Sequence, residues 1–130
     1  MYREAAARKC ERYYITFDVN GLKRINDKDG HAAGDAALCA FSRAVFENLP
    51  TSATFYRLGG DEFAIIYRTG TPDNAMRLIK RIIEKCQGLP YGISYGYASF
   101  KNPEDFEKTC KEADAMLYKN KRAFWDSYEA

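Results

Sequence analysis

The chain has 130 residues, 20 Lys or Arg against 18 Asp or Glu, a formal charge of +2, and 46% hydrophobic and 15% aromatic residues. That composition suits a globular fold with a real core, read here as a single domain over residues 1–130, and excludes a disordered chain. The near balance of charge gives no reason to expect nucleic-acid or membrane binding. No apolar run approaches the ~18 residues of a bilayer span, and Met1-Tyr2-Arg3-Glu4 does not open a signal peptide, so a cytoplasmic location is expected.

In chain order, Tyr13 to Phe17 is a strand-like run that ends at Asp18 and is followed by Val19-Asn20-Gly21. A turn into a short helix comes next. Gly34-Asp35 then precedes Ala37, Leu38, Phe41, Ala44, Val45 and Phe46, an apolar face at helical spacing that stops before Pro50. Thr54 to Leu58 and Phe63 to Tyr67 are rich in aromatic and β-branched residues, and Gly59-Gly60 between them suits a tight hairpin needing φ > 0. That turn would project Asp61 and Glu62. Thr71-Pro72 reads as a helix start, with Ala75, Ile79, Ile82, Ile83 and Cys86 on one face and Gly88 beyond its end. Tyr91 to Phe100 reads as a strand, and Asn102-Pro103 starts a last helix with Phe106, Cys110, Ala113 and Leu117 inward. Strand, helix, helix, hairpin, helix, strand, helix implies an α/β (α+β) layer fold with an antiparallel or mixed sheet, not a doubly wound parallel one. No internal repeat, linker or low-complexity segment interrupts it.

If the first strand and the hairpin are neighbours in one sheet, Asp18 and Asp61 converge on one divalent cation, and hard oxygen donors favour Mg²⁺ over zinc. Cys10, Cys39, Cys86 and Cys110 are dispersed and His31 is the only histidine, so no zinc or thiol site assembles from their spacing. The cysteines are expected to be reduced packing residues.

Four ordered blocks carry a family resemblance. Asp18 to Asp27 followed by Gly30 to Asp35, then Arg57-Leu-Gly-Gly-Asp-Glu-Phe63, Ile93 to Gly96, and Ala113 to Lys121 resemble the GGDEF domains of bacterial diguanylate cyclases, which join two GTP molecules into cyclic di-GMP. The resemblance implies a palm-like fold with a mostly antiparallel central sheet, shared with class III nucleotidyl cyclases and polymerases. It implies that Asp18 and Asp61 hold Mg²⁺, with Mn²⁺ as a substitute and the Val19 carbonyl as a backbone ligand. Glu62 is a further ligand or a general base, and sequence does not separate the two. Phosphodiester formation needs a 3′-hydroxyl in line with an α-phosphorus while pyrophosphate leaves. The backbone of Asn20 to Lys23, including Leu22, would receive phosphates at a helix start, with Gly60, Lys23 and Lys121 completing the substrate contacts.

Base selection can be argued from chemistry beside that resemblance. Guanine's Watson–Crick edge offers two adjacent donors, N1–H and the N2 amine, and a carboxylate accepts both. Asp35 is placed for this, Asn26 can both donate and accept, and adenine would face Asp35 with an acceptor. GTP is therefore preferred to ATP. The plainer account is that Asn26-Asp27 ends one helix and Gly34-Asp35 caps the next.

Several positions depart from the family pattern. Residues 1–17 lack its Asp-x-Leu-Thr-Gly-Leu stretch, which would fit a trimmed or a shortened natural form. The Arg-x-x-Asp of its product-inhibition site would fall at Pro50 to Ala53 and is absent, so feedback there is not expected. Its closing Gly-Arg aligns with Phe124-Trp125, leaving open whether Arg122 substitutes. Asn20 stands where an aspartate is frequent, without loss of the first metal ligand. One domain holds one nucleotide, so catalysis would require a homodimer, which relatives gain from a sensory or dimerising domain on a longer chain. An active cyclase module, a weak or inactive GTP-binding module, and a related enzyme using other nucleotides all remain in play. So do two roles for the tail of Phe124, Trp125 and Tyr128: completing the core, or forming the edge of a larger protein.

Overall fold

The computed structural model describes residues 11–69 and 71–129. Its elements are β1 (Arg12–Val19), α1 (Leu22–Asp29), α2 (His31–Asn48), β2 (Ala53–Arg57), β3 (Glu62–Arg68), α3 (Pro72–Lys85), β4 (Ile93–Phe100), a 3₁₀ turn (Pro103–Asp105) and α4 (Phe106–Glu129). The four strands lie in the order β2-β3-β1-β4 and every pairing is antiparallel. This is the expected palm-like α+β arrangement, with β1 at the centre.

Side-chain alternation along β1 sorts the two faces of the sheet. Tyr13, Ile15, Phe17 and Val19 enter the main core with Phe41 and Val45 of α2 and Ile79 and Ile82 of α3. Phe41 binds that face together, its ring 5.5 Å from Phe17 and 4.8 Å from Phe63. Tyr14 belongs to a smaller cluster with Ala64, Phe100 and Ala113. Thr16 and Asp18 share the parity of Tyr14, so they too face α4. Residues 13–20 are all buried, the polar Thr16, Asp18 and Asn20 among them, because the central strand is covered on both faces.

Helix α4 lies close against β4 because Gly96 has no side chain. A Cβ there would stand 2.0 Å from the Ala113 carbonyl oxygen and 2.5 Å from the Leu117 nitrogen. The helix also covers the outer edge of β4. Thr109 Oγ1 donates to the Ser99 carbonyl at 3.3 Å, the Tyr97 N–H to Met116 Sδ at 3.3 Å, and the Tyr95 N–H to Asn120 Oδ1 at 3.1 Å. These contacts satisfy edge groups that would otherwise invite another strand. They also fix how far along β4 each turn of α4 sits.

Some expectations change. Gly34 and Asp35 lie inside α2, which begins at His31 after Gly30 at its N-cap position with φ 90°, so they cap nothing. Phe46 is 67% exposed, because Phe41, Ala44 and Val45 define the inward face and the next residue is turned about 100° away from it. Cys39 is exposed for the same helical reason, whereas Cys86 is buried and Cys110 half-buried; Cys10 lies outside the described residues. Gly59 and Gly60 do not have positive φ: among the described residues only Gly21, Gly30 and Gly92 do. The hairpin has a longer loop than a two-residue turn. The Leu58 and Gly59 amides donate to the Glu62 carbonyl at 2.9 and 3.3 Å, and the Arg57 guanidinium donates to the carbonyls of Gly59 and Gly60 at 3.2 and 2.9 Å. The last strand starts at Ile93, after Gly92 turns the chain at φ 66°.

The aromatic tail packs on the domain. Trp125 and Tyr128 place their rings 5.5 and 5.6 Å from Tyr91, and the Arg24 guanidinium lies 4.5 Å from the Trp125 ring while pairing with Glu129 at 3.2 Å. We expect Gly96→Ala to push α4 off the sheet and cost about 3 kcal/mol of stability, an overpacking penalty against rigid backbone. Urea unfolding of the variant checks this, and an unchanged midpoint would contradict it.

Candidate active site

The acidic residues meet at one end of the sheet. Asp18, the penultimate residue of β1, stands directly opposite Glu62 in the β1–β3 register, so the two side chains share the α4 face. The Val19 amide donates to the Asp61 carbonyl at 3.1 Å, which ties the hairpin turn to the end of β1 and sets Asp61 beside Asp18. Asp18 is buried, Asp61 half-buried and Glu62 exposed. Ala113, Leu117 and Lys121 follow one another at four-residue spacing on α4, and the closeness of Ala113 to Gly96 directs this line toward the same sheet end. The Lys121 ammonium donates to Asp18 Oδ2 at 2.6 Å. Thr16, Asp18, Glu62, Asp114, Leu117, Tyr118 and Lys121 line a cavity of about 240 Å³.

Next to the acids, the chain leaves β1 and enters α1. Asn20 is almost fully buried: it accepts from Ser94 Oγ at 2.8 Å and donates through Nδ2 to the Tyr91 carbonyl at 3.1 Å. An aspartate could not make the second bond, so Asn20 acts as an anchor rather than a free ligand. Sequence reading treated it only as a tolerated replacement; the signal that could have found it is an uncharged amide where a carboxylate was expected. Gly21 is left-handed at φ 69°, and a Cβ on it would lie 2.4 Å from the Tyr91 ring. No side chain caps the first turn of α1 and no acid lies in it, so the amides around Leu22 and the exposed Lys23 keep their positive character free.

Asn26 and Asp35 are brought together by the packing of α1 on α2. A Cβ on Gly34 would lie 1.8 Å from Asn26 Oδ1, so Asn26 occupies the space that Gly34 leaves, one residue before the exposed Asp35. Asn26 Oδ1 is buried without a hydrogen-bond partner, as is Asp18 Oδ1. Gly60 sits in the turn with nothing within 4 Å of where its Cβ would be, and the same holds for Gly59. The candidate residues thus form two groups joined by Asn20, Gly21 and the start of α1: acids with Lys121, and Asn26 with Asp35.

Comparison with known proteins agrees with this geometry. The family described as "Diguanylate cyclase, GGDEF domain" matches residues 2–124. The chain is 35% identical over 113 residues to the probable diguanylate cyclase DgcJ of Escherichia coli, covering 84% of this chain and 23% of that protein. It is 33% identical over 118 residues to the E. coli diguanylate cyclase DosC, covering 83% and 26%. Among solved structures, a sensory box/GGDEF family protein from Caulobacter crescentus superposes with a TM-score of 0.77 at 30% identity, over 93% of this chain and 85% of that one. The GGDEF domain of YfiN from Pseudomonas aeruginosa gives 0.80 at 28% identity, over 93% and 82%. The chain belongs to the GGDEF domain family. It spans about a quarter of the length of the curated relatives it matches.

GGDEF cyclases generally use a divalent metal. Among the described residues no three His, Cys, Asp or Glu side chains are grouped closely enough to hold one. Mg²⁺, however, is usually bound by one or two carboxylates together with substrate phosphates and waters, not by an all-protein cage. The unpartnered, buried Asp18 Oδ1 beside Asp61 fits that manner of binding.

Burial pushes the Asp18 carboxyl up to about 6; the Lys121 hydrogen bond opposes this and the neighbouring Asp61 adds to it. Burial pulls the Lys121 ammonium down, but its hydrogen bond to Asp18 and the charges of Asp18, Asp61 and Glu62 outweigh burial and leave it raised. The folded Asp18 therefore keeps its proton to higher pH than in the unfolded chain, where an aspartate titrates near 4. Its contribution to stability falls as pH rises through that window, from about 4 to about 6. We expect the unfolding free energy of the metal-free wild type, relative to Asp18→Asn, to fall by on the order of 2 kcal/mol across it, allowing for solvent screening. Urea titrations of both proteins in chelator at several pH values test this; a pH-independent difference would refute it.

Proposed function

We propose that residues 1–130 act as one diguanylate cyclase module, condensing two GTP molecules into cyclic di-GMP and two pyrophosphates. The observation that carries this reading is the meeting of Asp18, Asp61, Glu62 and Lys121 at one sheet end, beside the uncapped start of α1. Mg²⁺ held by Asp18, Asp61 and the Val19 carbonyl would neutralise phosphate charge and acidify the attacking hydroxyl when bound. Glu62, exposed at the rim, supplies the remaining carboxylate. The free amides at the start of α1 receive the β and γ phosphates, and Lys23 adds a point charge to them. Asp35 accepts from guanine N1–H and N2, and Asn26, with an unpartnered carbonyl oxygen, takes part in holding the same base. The open backbone at Gly59 and Gly60 lets a nucleotide approach the turn closely.

Each copy offers one such site, so two GTP-loaded copies must face each other for each 3′-hydroxyl to reach the partner's α-phosphorus. A second reading, a GTP-binding module without turnover, is favoured by Trp125, which stands where the family's closing arginine is expected and packs its ring against Tyr91 and Arg24. Incubating concentrated protein with GTP and Mg²⁺, with ATP and the Asp61→Ala variant as controls, separates the readings by chromatography. Cyclic di-GMP from GTP alone, lost in Asp61→Ala, supports the enzyme; bound but intact GTP supports the second reading.

Gly34→Ala offers a sharper test of base recognition. Alanine is favoured over glycine within a helix by about 1 kcal/mol, but its Cβ displaces the Asn26 side chain. We expect roughly unchanged stability and about tenfold weaker GTP binding, the loss of one or two good hydrogen bonds. Titration calorimetry with a non-hydrolysable GTP analogue measures it, and wild-type affinity would exclude Asn26 from the base site.

A further inference from the structure

We propose that Lys121 is a built-in stand-in for the divalent cation, neutralising Asp18 in the unloaded domain and giving it up only when metal arrives with a polyphosphate. The inference rests on the reading of this sheet end as a metal–nucleotide site, and adds that metal and nucleotide are coupled through one lysine.

The pair is asymmetric. Its N–O distance is 2.6 Å, but the Lys121 side chain is 38% exposed and that of Asp18 only 7%. Asp18 cannot leave, since it sits in the central strand paired on both sides. Lys121 can leave: water already reaches its side chain, and a flexible four-carbon stem carries its charge. The backbone beneath it stays fixed, because the preceding residue, Asn120, accepts from the Tyr95 N–H. Any movement is therefore confined to the side chain.

Room for that movement exists. Lys121 is a wall shared by two cavities, the one of about 240 Å³ with Asp18 and Glu62, and one of about 250 Å³ with Tyr118, Arg122, Trp125 and Asp126. The ammonium can swing out of the first without unpacking α4. Its present position also leaves Asp18 incompletely satisfied: Oδ2 is paired and Oδ1 is buried with no partner. One lysine compensates part of the charge of Asp18, Asp61 and Glu62, yet it blocks a second cation by like-charge repulsion and by holding Oδ2. Metal alone must displace it into water without recompense. Metal with a polyphosphate provides a new anion for the displaced ammonium.

Mn²⁺ serves as the probe, its binding followed by the loss of the free-ion electron paramagnetic resonance signal. Wild type, Lys121→Met, Lys121→Arg and Asp18→Ala are titrated with and without a non-hydrolysable GTP analogue, after circular dichroism confirms folding. Without nucleotide, we expect Lys121→Met to bind Mn²⁺ on the order of tenfold more tightly than wild type, the worth of one charge-assisted hydrogen bond. Lys121→Arg, which keeps the charge, stays near wild type. The analogue tightens Mn²⁺ binding strongly in wild type and much less in Lys121→Met. Equal or weaker metal binding by Lys121→Met, with binding still dependent on Asp18, overturns the stand-in role and leaves the site reading intact. Metal binding that persists in Asp18→Ala, or is absent from every variant with and without the analogue, overturns both.

Discussion

The close approach of α4 to β4 at Gly96 is the contact on which the candidate site depends. With backbone against backbone there, the helix can hydrogen-bond along the outer edge of the strand, and its turns acquire a fixed register against the sheet. That register places Lys121, eight residues beyond Ala113, at the level of Asp18. A bulkier residue at Gly96 would lift the helix and move the lysine with it. The fold and the electrostatics of the site are one construction.

A second constraint is charge. Asp18 is an acid in the central strand of the sheet, on the thinner of its two packed faces, where a carboxylate is poorly solvated. The hairpin brings two further acids to it through the Val19–Asp61 hydrogen bond and the Asp18–Glu62 register. Without a cation such a cluster repels itself. Lys121 answers part of that repulsion, and its answer is incomplete because an ammonium on one side of Asp18 leaves the other oxygen unpaired. The protein's own groups therefore leave local frustration where binding is proposed to occur.

Much of this was legible in the sequence because the strongest signals there are periodic or local. The strand-like run of Tyr13 to Phe17, helical spacing in Ala75 to Cys86, and the Thr71-Pro72 start each report a single element, and the structure bears them out, with Thr71 accepting from the Asn74 amide at 3.3 Å. The fold class followed from their order. What escaped was geometry set by partners distant in the chain. Phe46 looked inward until the helical phase was fixed by Phe41 and Val45. Gly59-Gly60 looked like a positive-φ turn, but the Arg57 guanidinium closes a longer loop instead. Asn20 looked like a minor replacement because Ser94 and Tyr91, its partners, are more than 70 residues away. Lys121 was recognised as a nucleotide contact through resemblance, whereas its pairing with Asp18 depends on how closely α4 packs, which no local pattern encodes.

The two glycines of the hairpin turn have a thermodynamic meaning of their own. Neither has positive φ, and neither faces an atom that a methyl group would strike. Glycine in such a place makes the unfolded chain more disordered, and an alanine compatible with the same backbone would recover about 0.4–1 kcal/mol at each position. The chain thus forgoes stability at a point where its own packing asks for nothing. Bare backbone there would suit the close approach of the nucleotide proposed for this turn, at the expense of a stability the rest of the hairpin does not need.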